Sequence, residues 1–349
     1  MKSLIIASTR ESAGKTSVLI GLARALSGRF GYVKPLGDRF LYRKKRLWDY
    51  DASLFSQLFA LDQEPEDVSI GFDHSTLRYM YERQTMFEAL AKLVERVGAG
   101  RDAVFIECGP TLSHGASVCL DPLTISQETG SPVLIVAGGS DDGISDDLAF
   151  VDRFVGADEA TVAGVIVNKI EHLDDFRATY LPEIEKLGVV VMGMIPHEEE
   201  LTTLSVATLA DKLFARVLAG DEHLQRTIQH VVVGAMSVSA AMKDPLITAP
   251  NKLIITSGDR SDMILAALDA EGTSAIVLTN NIVPPSNVLA RARERDVPLL
   301  LVPENTYTVA LRVEKIQPLI TPQDEKKLAR ISALVEAHVD LDALRALVS

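Results

Sequence analysis

Short, uninterrupted apolar runs recur along the first 192 residues, at residues 4–7, 103–106, 133–137, 163–167 and 189–192. Continuous runs, as opposed to alternating ones, are typical of strands that are buried on both faces. Helical patterns occur between them, at residues 17–26, 85–97 and 145–154. This alternation predicts an α/β fold with a parallel sheet and flanking helices, in which ligands bind at the carboxyl ends of the strands.

A second alternating series follows a helix that we predict at residues 208–219. Its strands are expected at residues 231–236, 252–257, 275–279 and 299–302, and its helices at 261–270, 285–295 and 307–315. The segment 219–230 is polar and charged, which is typical of a joint between domains. We therefore predict a first domain at residues 1–222 and a smaller α/β domain at 223–349, closed by a helix from residue 322 to 338 that continues toward residue 347.

The charge balance argues against a nucleic-acid partner, because 35 Lys and Arg face 48 Asp and Glu, for a formal charge of −13. The densest basic stretch, residues 39–46, could be a patch for such a partner, but a solvated loop or a site for substrate phosphates suits an acidic surface better. The chain has two cysteines, which favours a reducing compartment. The sequence has no stretch of about 18 apolar residues. We expect a cytoplasmic protein with no membrane partner.

The first predicted strand leads directly into residues 8–17, which end in Gly14-Lys15-Thr16-Ser17 and open a helix. Strand, loop, Gly-Lys-Thr and helix form the context of a phosphate-binding P-loop. Backbone N–H groups and the helix dipole would bind the phosphates of a nucleotide, Lys15 would neutralise the outer phosphates and Thr16 would hold Mg²⁺. The remaining candidates for nucleotide contacts are Arg10, Glu11, Ser12 and Ala13. The alternative is a helix start that happens to contain Gly-Lys-Thr, since Thr9 stands where the motif has its first Gly.

The loop resembles that of dethiobiotin synthetase and its relatives, which share a shortened loop with Thr in place of Gly. Four further segments resemble that family in the same order: residues 31–35, 49–52, 107–109 and 167–169. The resemblance implies that Lys34 lies beside the phosphates as a catalytic residue with Lys15, that Asp51 and Glu107 bind Mg²⁺, and that Asn168 reads the adenine of ATP.

Each of these residues also has a structural interpretation. Lys34 could cap the end of a strand, Asp51 could be a helix N-cap or a first-turn acid, and Asn168 could be a turn residue. Glu107 ends a buried run, and a carboxylate there needs a partner. The family's glycine-rich run after this Glu is replaced by Cys108-Gly109-Pro110, which argues against its ligase chemistry.

Residues 229–320 resemble the DRTGG domain through 233–237, 258–261, 278–281 and 303–307. Asp259 and Arg260 are candidates for a polar ligand site at a strand end, since the guanidinium fork suits carboxylate or phosphate. An Asp–Arg pair that holds a turn is the alternative. A DRTGG domain after a dethiobiotin-synthetase-like domain is the arrangement of the N-terminal half of long phosphate acetyltransferases, where both domains are regulatory.

These resemblances imply a regulatory or switch-like protein that binds ATP and Mg²⁺, assembles as a homo-oligomer and regulates a partner enzyme. The residues after 320 leave no room for an acetyltransferase domain, so we do not expect acetyl transfer from this chain alone. The main alternative is an ATP-dependent ligase that activates a carboxylate or carbamate by phosphorylation. A scaffold with a vestigial P-loop is a third hypothesis.

Overall fold

The computed structural model describes residues 2–43, 46–155, 161–241, 243–316 and 318–348. The chain divides into two compact units, the first comprising Met1–Glu198 with Ile320–Ser349 and the second Glu199–Leu319. In chain order, the strands of the described residues are β1 Ser3–Ser8, β2 Phe30–Val33, β3 Phe40–Arg43, β4 Arg46–Asp49, β5 Ala103–Glu107, β6 Val133–Ala137, β7 Val162–Ile170, β8 Val191–Pro196, β9 Leu204–Ser205, β10 Arg216–Ala219, β11 Thr227–Ile228, β12 His230–Val233, β13 Lys252–Ser257, β14 Thr273–Thr279 and β15 Leu299–Leu301.

The helices, in the same order, are α1 Lys15–Ala25, α2 Tyr50–Leu58, α3 His74–Met80, α4 Arg83–Gly98, α5 Pro122–Thr129, α6 Asp141–Val155, α7 Leu173–Thr179, α8 Leu181–Lys186, α9 Val206–Lys212, α10 Val238–Ala241, α11 Pro245–Thr248, α12 Ser261–Asp269, α13 Ser286–Glu294, α14 Thr306–Glu314, α15 Glu325–His338 and α16 Leu341–Val348. None of these helices, as far as the chain is described, is long and apolar enough to cross a membrane.

The sheet of the first unit has the order β2-β5-β1-β6-β7-β8, and every pair in it is parallel. Its central strands β1, β5 and β6 are almost completely buried, as their uninterrupted apolar runs predicted. The carboxyl ends of β1, β2 and β5 meet at one edge of this sheet. The loop of residues 8–14 leaves β1 at that edge, which confirms the predicted α/β P-loop architecture and positions the site.

Helix α15, the last helix but one, packs along α1 in the first unit. The two helices approach so closely that a Cβ on Gly21 would lie 2.4 Å from Cγ2 of Val335. The compact units therefore divide the chain differently from the predicted 1–222 and 223–349, which assumed that neighbours in sequence share a domain. The position of an amphipathic terminal helix is decided by the helix against which it packs. The sequence pattern of the terminal helix does not identify that partner.

The sheet of the second unit has the order β10-β15-β14-β13-β12, with β10 antiparallel to β15 and the other pairs parallel. Alternate residues of its inner strands belong to two separate core clusters, as Ile254 and Leu253 illustrate. Both faces of the sheet are therefore covered, and the run of apolar residues in each strand is continuous for that reason.

The helix predicted at residues 208–219 is wrong in its second half. Helix α9 ends at Lys212, Phe214 adopts φ of 51°, and β10 follows as an edge strand. The predicted joint at 219–230 is also wrong, because β11 pairs with β9 and Ile228 is buried in the core of the second unit. Pairing with distant strands overrides the helical periodicity here.

Candidate functional site

The loop after β1 turns sharply into α1 at Gly14, which has φ of 94°. A Cβ at this position would lie 2.3 Å from Nδ2 of Asn168. Both the left-handed conformation and the close approach of Asn168 require glycine. Ser12 also has a positive φ, of 61°, so the backbone between β1 and α1 curves back on itself as it does around a bound anion.

Side chains from two other elements hold this loop in place. Nδ2 of Asn168 donates to the carbonyl of Ala13 at 2.8 Å, and Nζ of Lys169 donates to the carbonyl of Ser12 at 2.8 Å. Nε of Arg10 pairs with Oδ2 of Asp147 on α6 at 2.7 Å. The end of β7 and the helix α6 therefore fix the loop shape without any ligand.

Substitution of Gly14 by Ala tests this arrangement. We expect a loss of about 1–3 kcal/mol in the free energy of unfolding, since an L residue at this φ is strained and its Cβ meets Asn168. The double variant Gly14→Ala/Asn168→Ala should recover part of that loss, because it removes the atom that the Cβ meets. Equal stability of Gly14→Ala and wild type in urea unfolding would show that the loop does not have the conformation described here at Gly14.

A hydroxyl and two buried carboxylates meet at the start of α1. Oγ1 of Thr16 lies 3.3 Å from Oδ1 of Asp51 and 3.1 Å from Oε1 of Glu107. Asp51 lies in the first turn of α2 and Glu107 ends β5, so three separate elements bring these oxygens together. These are the oxygen donors that the P-loop motif (Thr16) and the family resemblance (Asp51 and Glu107) implied for Mg²⁺.

Lys34, which directly follows β2, is buried and neutralises several carboxylates. Its Nζ lies 2.7 Å from Oδ2 of Asp51, 2.5 Å from Oδ1 of Asp38 and 3.5 Å from Oδ2 of Asp49. Burial lowers the pKa of Lys34, but the surrounding carboxylates outweigh it and raise this pKa well above its usual value. Lys34 is therefore a fixed positive charge inside the protein.

The carboxyl group of Glu107 is strongly perturbed by its surroundings. Burial, together with the nearby charge of Asp51, raises its pKa from 4.5 to about 7. The hydroxyl of Tyr32 donates to Oε2 of Glu107 at 2.9 Å. Burial and Glu107 in turn raise the pKa of Tyr32 well above its usual value, so Tyr32 remains a neutral donor. A bound cation would offset the repulsion between these two buried carboxylates, Asp51 and Glu107, and so stabilise the folded protein.

Lys15 is the first residue of α1 and is partly buried. Its Nζ donates to Oγ of Ser8 at 2.9 Å, and this hydroxyl donates to the carbonyl of Pro110 at 2.9 Å. Burial lowers the pKa of Lys15, although the carboxylate of Glu107 opposes that effect. The ammonium group of Lys15 thus lies inside the loop, and its hydrogen-bond partner is the neutral hydroxyl of Ser8.

The donor set suits a cation that brings part of its own coordination shell. Across the described ranges, no group of three or more His, Cys, Asp or Glu side chains is arranged to hold a metal. Two carboxylates and a hydroxyl match Mg²⁺, which keeps waters and uses phosphate oxygens for its remaining ligands. The loop also contains a buried polar atom, Oγ1 of Thr9, that has no hydrogen-bond partner among the described residues. The residues present therefore fit Mg²⁺ together with phosphate.

The structure brings together five of the residues selected from sequence, which are Lys15, Thr16, Lys34, Asp51 and Glu107. Asn168 lies against the loop as a brace, while Arg10 pairs with α6. Glu11 and Ser12 belong to the loop itself, and Ser17 lies in the first turn of α1. Asp51 is a first-turn acid of α2, and the N-cap of that helix is Asp49.

The charged side chains around Lys34, Asp51 and Glu107, called here the charge cluster, have four further contributors: Tyr32, Asp38, Arg39 and Asp49. None of these four was selected as a site residue from the sequence. Asp49 accepts from the backbone N–H groups of Asp38 and Arg39 at 3.0 Å each. NH1 of Arg39 lies 3.4 Å from Oδ1 of Asp51. The position of Asp49 directly before a helix was an available signal, since Asp is a preferred N-cap residue and leaves Asp51 inside the first turn.

In the second unit, Arg260 is the residue that precedes α12. Its Nε pairs with Oδ1 of Asp262 at 3.0 Å, and its NH2 donates to the carbonyl of Met236 at 3.0 Å. The predicted alternative, an Asp–Arg pair that holds a turn, thus has a counterpart, but its acid is Asp262 and not Asp259. The ligand site at Asp259 and Arg260 stays a prediction.

Comparison with known proteins now adds to this geometry. Residues 2–205 match the family described as AAA domain. The chain belongs to this AAA domain family. Residues 208–316 match the family described as DRTGG domain. The AAA domain match contains the whole charge cluster, and the two matches together confirm the resemblance that the sequence indicated.

Curated relatives of this AAA domain chain include three phosphate acetyltransferases. The enzyme of Pseudomonas aeruginosa is 24% identical over 376 residues, which cover 99% of this chain and 52% of the relative. That of Pseudomonas putida is 25% identical and covers 97% and 51%, and that of Synechocystis is 25% identical and covers 98% and 51%. The chain spans about half the length of the curated relatives it matches, and the matching half is the N-terminal one.

Solved structures show a weaker likeness. A ParA family ATPase from Chlorobium tepidum is 14% identical, with a TM-score of 0.36, over 57% of this chain and 86% of that one. The CBS and DRTGG domains of a Clostridium perfringens pyrophosphatase, in complex with diadenosine tetraphosphate, are 12% identical, with a TM-score of 0.28, over 46% and 78%. TM-scores this low give no basis for transferring function.

Proposed function

We propose that this AAA domain protein binds ATP with Mg²⁺ at the loop of residues 8–17. The observation that carries this proposal is the position of the Thr16 hydroxyl, within 3.3 Å of Asp51 and 3.1 Å of Glu107. Lys34 is buried with its Nζ 2.7 Å from Oδ2 of Asp51, and Lys15 directly precedes Thr16 at the start of α1. A hydroxyl and carboxylates for Mg²⁺, with fixed cations for phosphate, are the parts that a nucleotide phosphate site needs.

Within this proposal each residue has a separate task. Lys15 and Lys34 neutralise the outer phosphates, while Thr16, Asp51 and Glu107 hold Mg²⁺, which supplies charge neutralisation at the phosphates when bound. The loop N–H groups and the start of α1 orient the phosphates. Asn168 keeps the loop in shape through Ala13, and its predicted role in reading adenine is part of the proposal.

We further propose that nucleotide binding regulates another activity, as in a switch, and that ATP hydrolysis is slow or depends on a partner. The similarity to about half the length of phosphate acetyltransferases supports a regulatory role, because this chain consists of an AAA domain match and a DRTGG domain match over the shared length. A homo-oligomer and a regulated partner enzyme belong to the same proposal. Polar ligands of the second unit would bind at Asp259 and Arg260.

Calorimetric titration with Mg-ATP, together with an assay of ADP release, tests the nucleotide site. We expect Lys15→Ala to bind Mg-ATP about 10- to 100-fold more weakly than wild type, because a hydrogen bond to a charged group is lost. The matched control is Lys186→Ala, since Lys186 is exposed on α8 and pairs only with Glu183 among the contacts described. Equal affinity of Lys15→Ala and wild type would refute the proposal and favour a scaffold with a vestigial loop.

The second candidate function is a ligase that phosphorylates a carboxylate or carbamate. One observation favours it: the loop after Glu107 returns to the site, where the carbonyl of Pro110 accepts from Ser8. An acceptor could therefore approach the outer phosphate from this loop. ADP release that requires a small carboxylate would support the ligase, whereas release without any acceptor would support an ATPase.

A further inference from the structure

The two oxygens of the Asp51 carboxylate have different partners. Oδ2 lies 2.7 Å from Nζ of Lys34, whose side chain is 2% exposed and is held by two further carboxylates. Oδ1 accepts from the hydroxyl of Thr16 at 3.3 Å and from NH1 of Arg39 at 3.4 Å. Because Lys34 is fixed on Oδ2, Oδ1 is the oxygen that Asp51 can offer to a metal ion beside Thr16. Arg39 contacts that same oxygen.

Arg39 has a fixed backbone and a loosely held side chain. Its N–H donates to Oδ2 of Asp49 at 3.0 Å, and its carbonyl accepts from the N–H of Tyr50 at 2.8 Å. Its guanidinium is 32% exposed and reaches Asp51 at 3.4 Å, a long contact that is weak when one group is partly exposed to water. The guanidinium can therefore leave Oδ1 without any movement of the backbone.

The guanidinium of Arg39 lies on the side of Asp51 that faces the phosphate loop. It shares Oδ1 with the hydroxyl of Thr16, which directly follows Lys15 at the start of α1. Lys169, whose Nζ donates to the carbonyl of Ser12 in the loop, agrees with this position. Burial, together with the positive charge of Arg39, lowers the pKa of Lys169. The guanidinium is thus within reach of the phosphates that the loop would bind.

We propose that Arg39 competes with Mg²⁺ for Oδ1 of Asp51, and that the displaced guanidinium binds the outer phosphate of ATP. Mg²⁺ takes phosphate oxygens as ligands in addition to the protein's own, so this phosphate and Arg39 are both neighbours of Thr16. The planar guanidinium offers two parallel N–H donors to phosphate oxygens. This inference rests on the proposed nucleotide site and adds a residue that distinguishes ATP from ADP.

The preference for ATP follows from the charges involved in this exchange. While Arg39 contacts Asp51, each of these two charges has a partner. When Mg²⁺ takes over Oδ1, Asp51 keeps a cation, and the guanidinium needs a new anion close by. The outer phosphate of ATP is such an anion, and ADP lacks it. Only ATP therefore leaves every charge of the exchange paired at the site.

The competition with Mg²⁺ is tested on the full chain in the absence of nucleotide. The informative variant is Arg39→Gln, which removes the charge and keeps a polar side chain. The measurement is the rise of the melting temperature with Mg²⁺ concentration. We expect Arg39→Gln to reach half of its maximal rise at a Mg²⁺ concentration about 2- to 5-fold lower than wild type, because a competing cation has been removed.

The phosphate contact is tested by calorimetric titration with Mg-ATP and with Mg-ADP. We expect the ratio of ATP affinity to ADP affinity to be about 10- to 100-fold lower in Arg39→Gln than in wild type, since a hydrogen bond to a charged group is lost. Arg39→Lys, which keeps the charge but not the planar fork, should bind Mg²⁺ like wild type and recover part of the ATP preference. The control is Arg46→Gln, because Arg46 lies on β4 and pairs with Glu66. It should match wild type in both measurements.

The outcomes separate this inference from the nucleotide proposal. Tighter Mg²⁺ binding together with a reduced ATP preference supports it, since a residue that only stabilises the fold would weaken both nucleotides alike and would not improve Mg²⁺ binding. Mg²⁺ binding in Arg39→Gln that is equal to or weaker than in wild type overturns the competition. An unchanged ratio of ATP to ADP affinity, in a wild type that binds both, overturns the phosphate contact alone. If wild type binds neither nucleotide, the proposed nucleotide site fails and the phosphate contact fails with it, while the Mg²⁺ measurement still decides the competition.

Discussion

Substitution of Lys34 by Met should lower the free energy of unfolding by about 3–5 kcal/mol, the usual effect of removing one partner from a buried ion pair. Met keeps most of the aliphatic volume of the Lys side chain, so the loss in free energy of unfolding reports the removal of the positive charge. Without the ammonium group, Asp51, Asp49 and Asp38 would lie close together with only the partly exposed guanidinium of Arg39 to balance them. The pKa of Asp51 is lowered because Lys34 and Arg39 outweigh its burial, and this favourable effect would largely disappear.

Urea unfolding at neutral pH without Mg²⁺ measures this loss. The sequence has one tryptophan, Trp48, which is buried in the first unit and reports on that unit. Lys15→Met is the control, because Lys15 is partly buried in the same site but its Nζ has a neutral hydroxyl partner, so its removal should cost far less. The double variant Lys34→Met/Asp51→Asn should recover part of the stability. A loss below about 1 kcal/mol for Lys34→Met would contradict the described charge cluster.

Glu107→Gln should have opposite effects on function and on stability. We expect ATP turnover to fall about 100-fold or more, because a ligand that holds Mg²⁺ at the phosphates is lost. Without Mg²⁺, the same variant should unfold with a free energy about 1–3 kcal/mol higher than wild type at pH 8, because it removes a buried charge beside Asp51.

The pH dependence of that gain has a definite sign. The pKa of Glu107 is raised in the folded protein to about 7 from 4.5, so the folded state holds its proton more tightly than the unfolded state. Ionisation of Glu107 therefore destabilises the fold as pH rises between these two values, and the cost is complete above the folded pKa. The gain from Gln should be small at pH 5 and largest at pH 8.

Glu128→Gln is the control for this measurement, since Glu128 pairs with Arg83 at the surface. The difference in free energy of unfolding between Glu128→Gln and wild type should not grow in this way between pH 5 and pH 8. Added Mg²⁺ should stabilise wild type and leave Glu107→Gln almost unchanged. A Gln variant that is less stable than wild type at pH 8 would show that Glu107 contributes to the fold and is not a strained ligand.

Both variants address the same property of the site, which is that like charges are held together at some cost to the fold. Asp51 and Glu107 share the hydroxyl of Thr16, and one buried ammonium group is close enough to neutralise Asp51 directly. Such arrangements are concentrated where a protein binds a cation or a phosphate. The buried carboxylates are therefore better explained by ligand binding than by stability.

The sequence by itself determined the parallel sheet and the phosphate loop. The strand at residues 133–137 was predicted with the bounds that the structure has, and so was the strand at 252–257. Strands buried on both faces leave a continuous apolar pattern that needs no knowledge of their neighbours. The loop could be predicted from sequence for a similar reason, since Gly14, Lys15 and Thr16 are adjacent in the chain and the strand and helix that flank them are also neighbours in sequence.

Only the tertiary structure decided what depends on distant partners. It showed that α15 packs along α1, that residues 216–219 form an edge strand beside β15, and that Arg260 pairs with Asp262. It also placed His74 beside His114, which lie on different elements. Periodicity reports whether a segment has an apolar face, but the partner that covers this face is chosen by packing among all the elements. The contacts that balance Lys34 are contacts of that kind.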